Sequence, residues 1–251
     1  MWGQPPLAVQ PSKARLFCPR YRMLRSNPVP ASISSFTEDC LVPHVRGVLH
    51  TPQTPNHDAL ILTHGAGSNA QAPLLVALAE AFSSAGFTVL RCDLPYRQTR
   101  LYGPPGPGDA ARDRYGLKNA IAAMRKLISG RIFLAGHSYG GRQSSMLCAE
   151  EPDVAAGLLL LSYPLHPPRK PEQLRTQHLT SLRTPTLFVH GTRDPFGSVA
   201  ELEQALKMVP AKTELFAVEG AGHDLGFKGK GKRQELPQEI LAKFRKFCVR
   251  S

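Results

Sequence analysis

The chain has 251 residues, a formal net charge of +12 and 42% hydrophobic residues, so it can bury one large core and is too apolar for a disordered chain. No apolar run reaches the ~20 residues of a membrane-spanning helix, and the longest, Val154 to Leu161, reads as a buried strand. Cys18, Cys40, Cys92, Cys148 and Cys248 are scattered without metal-site spacing, which points to no metal and to free thiols in a reducing, cytoplasmic compartment.

The first stretch, 1–30, carries Lys13, Arg15, Arg20, Arg22 and Arg25, no Asp or Glu, and many prolines. It lacks the apolar core of a secretory signal and reads as a disordered basic tail. Its basic, acid-free composition fits an organelle transit peptide, but its prolines do not. Met23 offers an alternative start, which would leave 1–22 as a gene-model extension. From about residue 40 to 251 the pattern is that of one domain. Val45–His50 and Ala59–Thr63 read as strands, 73–84 as a helix, Thr88–Cys92 as a strand, and Arg112–Ser129 as a helix with Ala120, Ile121, Met124, Leu127 and Ile128 on one face. Pro95 to Asp113 is Gly/Pro-rich and reads as irregular. Alternating strands and helices continue through Gly157–Ser162, Thr186–Gly191, Val199–Val209, Leu215–Val218 and Pro237–Val249. This order implies a mostly parallel sheet with helices on both faces and its active site at the carboxyl edge of the strands. The connection Tyr163 to Pro185 is too short for a large insertion, so little or no lid is expected. A site open in this way favours small or polar substrates over long acyl chains.

Chemistry concentrates at Gly136-His137-Ser138-Tyr139-Gly140, which follows the apolar run Arg131 to Ala135 and precedes a helix-compatible stretch. A G-x-S-x-G between strand and helix places a serine on a sharp turn, with small neighbours giving the backbone room. Asp194 follows the Thr186–Gly191 strand, and His223 follows the last strand. Serine is a poor nucleophile at neutral pH, so it needs an imidazole to take its proton and a carboxylate to orient that imidazole. Ser138, Asp194 and His223 stand in the chain order of such a triad, with room between them for the intervening elements. Asp224 is a rival acid, but it is chained to His223 and poorly placed to reach its ring. His64, His137 and His190, at strand ends, read as hydrogen-bonded structural residues. The Gly-rich loop Gly65-Ala66-Gly67 lacks phosphate-loop spacing and reads as one side of an oxyanion hole, with donors from Tyr139 N–H and an amide near Ala66. Gly65, His166, Arg175 and His178 are candidate substrate-binding residues, the last three for a carboxylate or phosphate. Lys228-Gly229-Lys230-Gly231-Lys232-Arg233 reads as a solvated loop, with steering of an anionic substrate as the functional alternative. Without interleaved aromatics it is no nucleic-acid platform.

Thr63-His64-Gly65-Ala66-Gly67, Gly136 to Gly141, Ser162-Tyr163-Pro164-Leu165-His166-Pro167-Pro168, His190 to Pro195 and Gly220 to Leu225 resemble the small α/β-hydrolase family that includes the mammalian testis-expressed protein Tex30 and the third subunit of the nonspecific-lethal histone acetyltransferase complex, with more distant similarity to dienelactone hydrolases. The resemblance spans roughly residues 40–250. It implies an α/β-hydrolase fold and hydrolysis without a cofactor, and, because some members look like assembly subunits, it also implies a protein partner for part of the family. The expectation is a serine hydrolase for a small ester, thioester or related acyl compound. Two alternatives stay open: a non-catalytic scaffold subunit, against which the intact triad counts, and an acyltransferase.

Overall fold

The computed structural model describes residues 32–227 and 234–249. The expected tail and the basic run 228–233 lie outside these residues. Among the described residues eight strands form one sheet: β1 (Ser32–Glu38), β2 (Val45–Thr51), β3 (Ala59–Thr63), β4 (Thr88–Asp93), β5 (Ile132–His137), β6 (Leu158–Leu161), β7 (Thr186–Gly191) and β8 (Thr213–Val218). Their order is β1-β2-β4-β3-β5-β6-β7-β8. β2 pairs antiparallel with both β1 and β4, and every pairing from β4 to β8 is parallel. The sheet therefore starts at Ser32, ahead of the expected domain start at residue 40. β1 escaped notice because its Ser32-Ile33-Ser34-Ser35 half is polar and exposed.

Among the described residues six helices cover the sheet: α1 (Pro73–Ser84), α2 (Pro95–Thr99), α3 (Asp109–Met124), α4 (Tyr139–Glu150), α5 (Val199–Leu206) and α6 (Leu236–Phe244), the last continuing as a π-helical turn to Val249. The strand period of two divides the core. Leu60, Leu62, Phe133 and Ala135 pack with α1 and α6. Ile61, Leu134, Leu158 and Leu160 pack with α3, α4 and α5 on the opposite face. Phe82, Phe87, Phe133 and Phe244 lock the α1–α6 face edge-to-face, with ring centroids 5.2 to 6.4 Å apart.

Three expectations need correction. Pro95 to Asp113 is not wholly irregular, because Pro95 starts α2, where a missing N–H costs nothing. α3 begins at Asp109, three residues before Arg112, since the Asp109 carboxylate accepts the Gly106 N–H at 2.6 Å and suits the helix N-terminus. It ends at Met124, and Leu127 sits in a turn, 37% exposed. The apolar run from Val154 becomes a strand only at Leu158, while the β6–β7 connection holds one 3₁₀ turn, Gln177–Ser181, and no added lid.

Candidate active site

β5 ends at His137 and α4 begins at Tyr139, so Ser138 alone reverses the chain. It does so at φ 51° and ψ −115°, a conformation that costs a non-glycine residue about 1–3 kcal/mol. Glycine supplies the clearance: a Cβ on Gly140 would sit 2.5 Å from the His64 carbonyl oxygen. The Ser138 N–H donates to the Leu161 carbonyl at 2.8 Å, tying the elbow to β6.

The loops after β7 and β8 bring Asp194 and His223 to this serine. Ser138 Oγ donates to His223 Nε2 at 2.8 Å, and His223 Nδ1 donates to Asp194 Oδ2 at 2.8 Å. Asp194 Oδ1 also accepts the Phe196 N–H at 2.9 Å, and the Asp194 side chain is fully buried. The Phe196 ring stacks on the imidazole at 4.1 Å between centroids. His137 Nε2 donates to the His223 carbonyl at 2.7 Å, which holds the loop as well as the ring. Asp224 lies at the cavity beside His223, but its Oδ1 accepts the Gly226 N–H at 3.1 Å in the turn that follows, and Nδ1 of the imidazole is held by Asp194.

A cavity of about 300 Å³ opens beside Ser138 and His223, with Leu74, Leu75, Phe196 and Phe227 among its walls. Gly65 and Ala66 line it as well. The Gly65 carbonyl accepts from His64 Nδ1 at 2.9 Å and Tyr96 OH at 3.2 Å, and the Ala66 carbonyl accepts from Tyr96 OH at 2.8 Å and Arg97 Nη2 at 3.1 Å. A trans peptide points its N–H opposite its C=O, so holding the Gly65 carbonyl fixes the direction of the Ala66 N–H. Arg97, 6% exposed, also donates to the Ser68, Arg100 and Gly103 carbonyls. On the same side Tyr139 OH donates to Asp113 Oδ2 at 2.7 Å, and Tyr96 N–H donates to Asp113 Oδ1 at 3.0 Å. Burial raises the Asp113 carboxyl against the pull of these bonds. Tyr139 is the first residue of α4, so its N–H has no intrahelical acceptor.

His64 and His190 are spent on structure. Burial lowers the His64 pKa, and its Nε2 accepts the Leu94 N–H at 3.1 Å; His190 Nε2 donates to the Gly197 carbonyl at 2.8 Å. Cys92, Cys148 and Cys248 are thiols pushed up to about 12 by burial, which makes them poor nucleophiles. His166, Arg175 and His178 are not brought into the cavity lining. His166 Nδ1 donates to the Pro167 carbonyl at 2.8 Å, and its Nε2 is 3.6 Å from Glu201 Oε1 at the start of α5. His178 bonds Ser145 of α4 at 2.9 Å, and Arg175 is held by the Pro164–Leu165 stretch, its N–H donating to the Leu165 carbonyl at 2.8 Å. Sequence reasoning missed Phe196, Tyr96, Arg97 and Asp113. A polar Tyr96-Arg97 pair just past the carboxyl end of β4 was the available signal for two of them, since that edge faces the site.

A family model described as an alpha/beta hydrolase domain matches residues 56–248. The chain is also similar in fold to an alpha-beta serine hydrolase homologue from Coxiella burnetii, at 19% identity and TM-score 0.67, covering 84% of this chain and 96% of that one. A dienelactone hydrolase from Anabaena variabilis gives 20% identity and TM-score 0.67, over 88% of this chain and 100% of that one. Est1E from Butyrivibrio proteoclasticus gives 18% identity and TM-score 0.67, over 86% and 99%. The eight-stranded sheet, its elbow at the end of β5 and the match over most of its length place this chain in the α/β-hydrolase family.

Proposed function

We propose that the protein is a serine hydrolase acting on a small ester, thioester or related acyl compound. The observation that carries this reading is the unbroken chain Asp194–His223–Ser138, at 2.8 Å per link, ending at the open cavity. In this reading Ser138 Oγ attacks the acyl carbon while His223 Nε2 takes its proton. Asp194 holds the ring in the tautomer that leaves Nε2 free to accept, and stabilises the imidazolium. The Tyr139 and Ala66 amides receive the developing oxyanion. His223 then protonates the leaving group; water attacks the acyl-serine with His223 again as base, the Oγ–acyl bond breaks, and His223 returns the proton to Ser138 Oγ as the acid is released. The walls at Leu74, Leu75 and Phe227 favour an apolar acyl or alcohol group of modest size. Within the α/β hydrolases we place the chain with the Tex30-like group, on the motifs quoted above. Among the described residues no helix is long and apolar enough to cross a membrane.

The test is labelling by a fluorophosphonate together with turnover of a panel of p-nitrophenyl esters, in the native protein and in Ser138→Ala. Stoichiometric labelling and turnover that both vanish in the variant support the reading. A native protein that neither labels nor turns over any ester overturns it and leaves the scaffold reading.

A further inference from the structure

Two half-buried arginines near the elbow have no counter-ion among the described residues. Arg142 lies one turn into α4, and its backbone N–H donates to the Ser138 carbonyl at 2.9 Å. Helical side chains lean toward the N-terminus, so this guanidinium reaches back toward the elbow. Its Nε is buried without an acceptor. Arg175, from the β6–β7 connection, makes one long side-chain bond, Nη1 to the Pro164 carbonyl at 3.4 Å. Neither arginine has a carboxylate within salt-bridge distance among the described residues; the nearby Arg114 takes Glu150 for itself.

The groups around the pair do not neutralise it. Tyr163, close enough to both guanidinia to feel their charge, donates its hydroxyl to the Arg175 carbonyl at 2.6 Å, and burial raises its pKa. His178 is hydrogen-bonded to Ser145 Oγ at 2.9 Å, and burial, then Arg142 and Arg114, push its pKa down to about 4, so it is neutral near pH 7. Arg175 is itself disfavoured as a cation, by burial first and by Arg142 second. Buried polar donors are ordinarily paired, and neighbouring like charges disfavour one another's charged form, a cost that an anion between them removes. The Ser162 hydroxyl, at the end of β6, is also buried without a partner, at φ 49°. Unspent polar capacity thus gathers on the α4 side of Ser138, opposite the apolar cavity.

We infer that Arg142 and Arg175 form an anion-binding subsite, one helical turn from Ser138, for a carboxylate or phosphate carried by the acyl substrate. The inference rests on the serine-hydrolase reading and deepens it. It gives the substrate two ends, an apolar one on the α1 side and an acidic one on the α4 side. Guanidinia suit both anions because each can accept two parallel N–H bonds.

The experiment compares kcat/KM for neutral p-nitrophenyl butyrate and for the mono-p-nitrophenyl ester of succinate, of similar size. Binding of free succinate and of inorganic phosphate is measured in parallel by calorimetry. The native protein is expected to prefer the acidic ester by at least about tenfold, the scale of one charge-assisted contact, and to bind one of the two anions saturably. Succinate against phosphate distinguishes the two sources of charge. The preference should collapse, and the binding with it, in Arg142→Gln and in Arg175→Gln; the second variant, on a loop, guards against misfolding of the first. An ester ratio equal in all three proteins, or anion binding that survives both substitutions, overturns the inference. If neither ester is turned over, the hydrolase reading fails, and the calorimetry alone decides the subsite: lost binding in the variants keeps it, and no saturable binding removes it.

Discussion

On the β8 side of Ser138, hydrogen bonds run from Asp194 through His223 to the serine hydroxyl and stop at an open cavity. On the β4 side Tyr139 OH donates to the Asp113 carboxylate, while Tyr96 and Arg97 donate to the carbonyls of Gly65, Ala66 and Ser68 and stop at backbone. Both clusters are built from largely buried polar side chains near the carboxyl edge of the sheet, the first on the loops after β7 and β8 and the second on α2, α3 and α4. In the first, a proton can move along the line, because His223 Nε2 is an acceptor facing a hydroxyl that faces the cavity. In the second, the guanidinium donors end on main-chain oxygens, so the cluster fixes geometry and moves no proton. A titratable residue at a sheet edge is therefore not a site by itself; what its last hydrogen bond ends on decides.

The largest expected effect strikes the first cluster. Asp194→Asn should lower kcat by roughly 10⁴, the scale for a triad whose histidine is held in the wrong tautomer. Asp224→Asn should stay within about tenfold of the native rate, since its carboxylate caps a turn. Ester kinetics on the two variants check this, and reversed severity would reassign the acid.

The second cluster should respond in kcat more than in KM. Tyr96→Phe removes one of the two donors that hold each of the Gly65 and Ala66 carbonyls, leaving His64 Nδ1 and Arg97 Nη2, and loosens the aim of the Ala66 N–H. A fall in kcat on the order of tenfold to a hundredfold is expected, below the cost of deleting an oxyanion donor outright. Arg97→Ala should add a lower melting temperature, because it removes the part-buried bonds to the Ala66, Ser68, Arg100 and Gly103 carbonyls that tie these loops together. A Tyr96→Phe enzyme with native kcat would show that the loop needs no such support.

Smaller effects separate the two kinds of histidine contact. Phe196→Ala removes the ring stacked on His223 and should cost about twofold to tenfold in kcat, following the 0.5–1.5 kcal/mol of an aromatic pair. The structural His50 is the contrast. Its Nε2 accepts from Arg91 Nε at 3.0 Å, and burial, then the Arg91 charge, lower its pKa to about 4. A folded pKa below the ordinary 6.5 means the unfolded chain takes up the proton first. Stability from this group is thus full above about pH 6.5 and is lost as the pH falls toward 4. Melting curves across that window should slope less steeply in His50→Gln than in the native protein.

Much of the parallel core was legible because its signals are local. Ala59–Thr63 and Thr186–Gly191 are centred on the apolar runs Ala59 to Leu62 and Leu187 to Val189, and Pro73 marks the start of α1, so these bounds coincide with the sequence reading. Ser138, Asp194 and His223 were legible by type and order, since a nucleophile elbow needs glycines at fixed positions. β1 was not, because an antiparallel edge strand with an exposed polar half has no apolar run to betray it. Nor was Arg142: a guanidinium is remarkable only once its neighbours are known, and the Arg175 that crowds it comes from a distant part of the chain. Phe196 and Arg97 were hidden for the same reason. Their roles lie in contacts across loops, and hydrophobic periodicity is silent there.

The central claim is that Ser138 is the nucleophile at the end of the Asp194–His223 line. Peptide mapping by mass spectrometry of the native protein after fluorophosphonate treatment tests it most directly. The account predicts one adduct per chain, on the peptide that carries Ser138. An adduct on another serine, or no adduct in a folded protein, would contradict it.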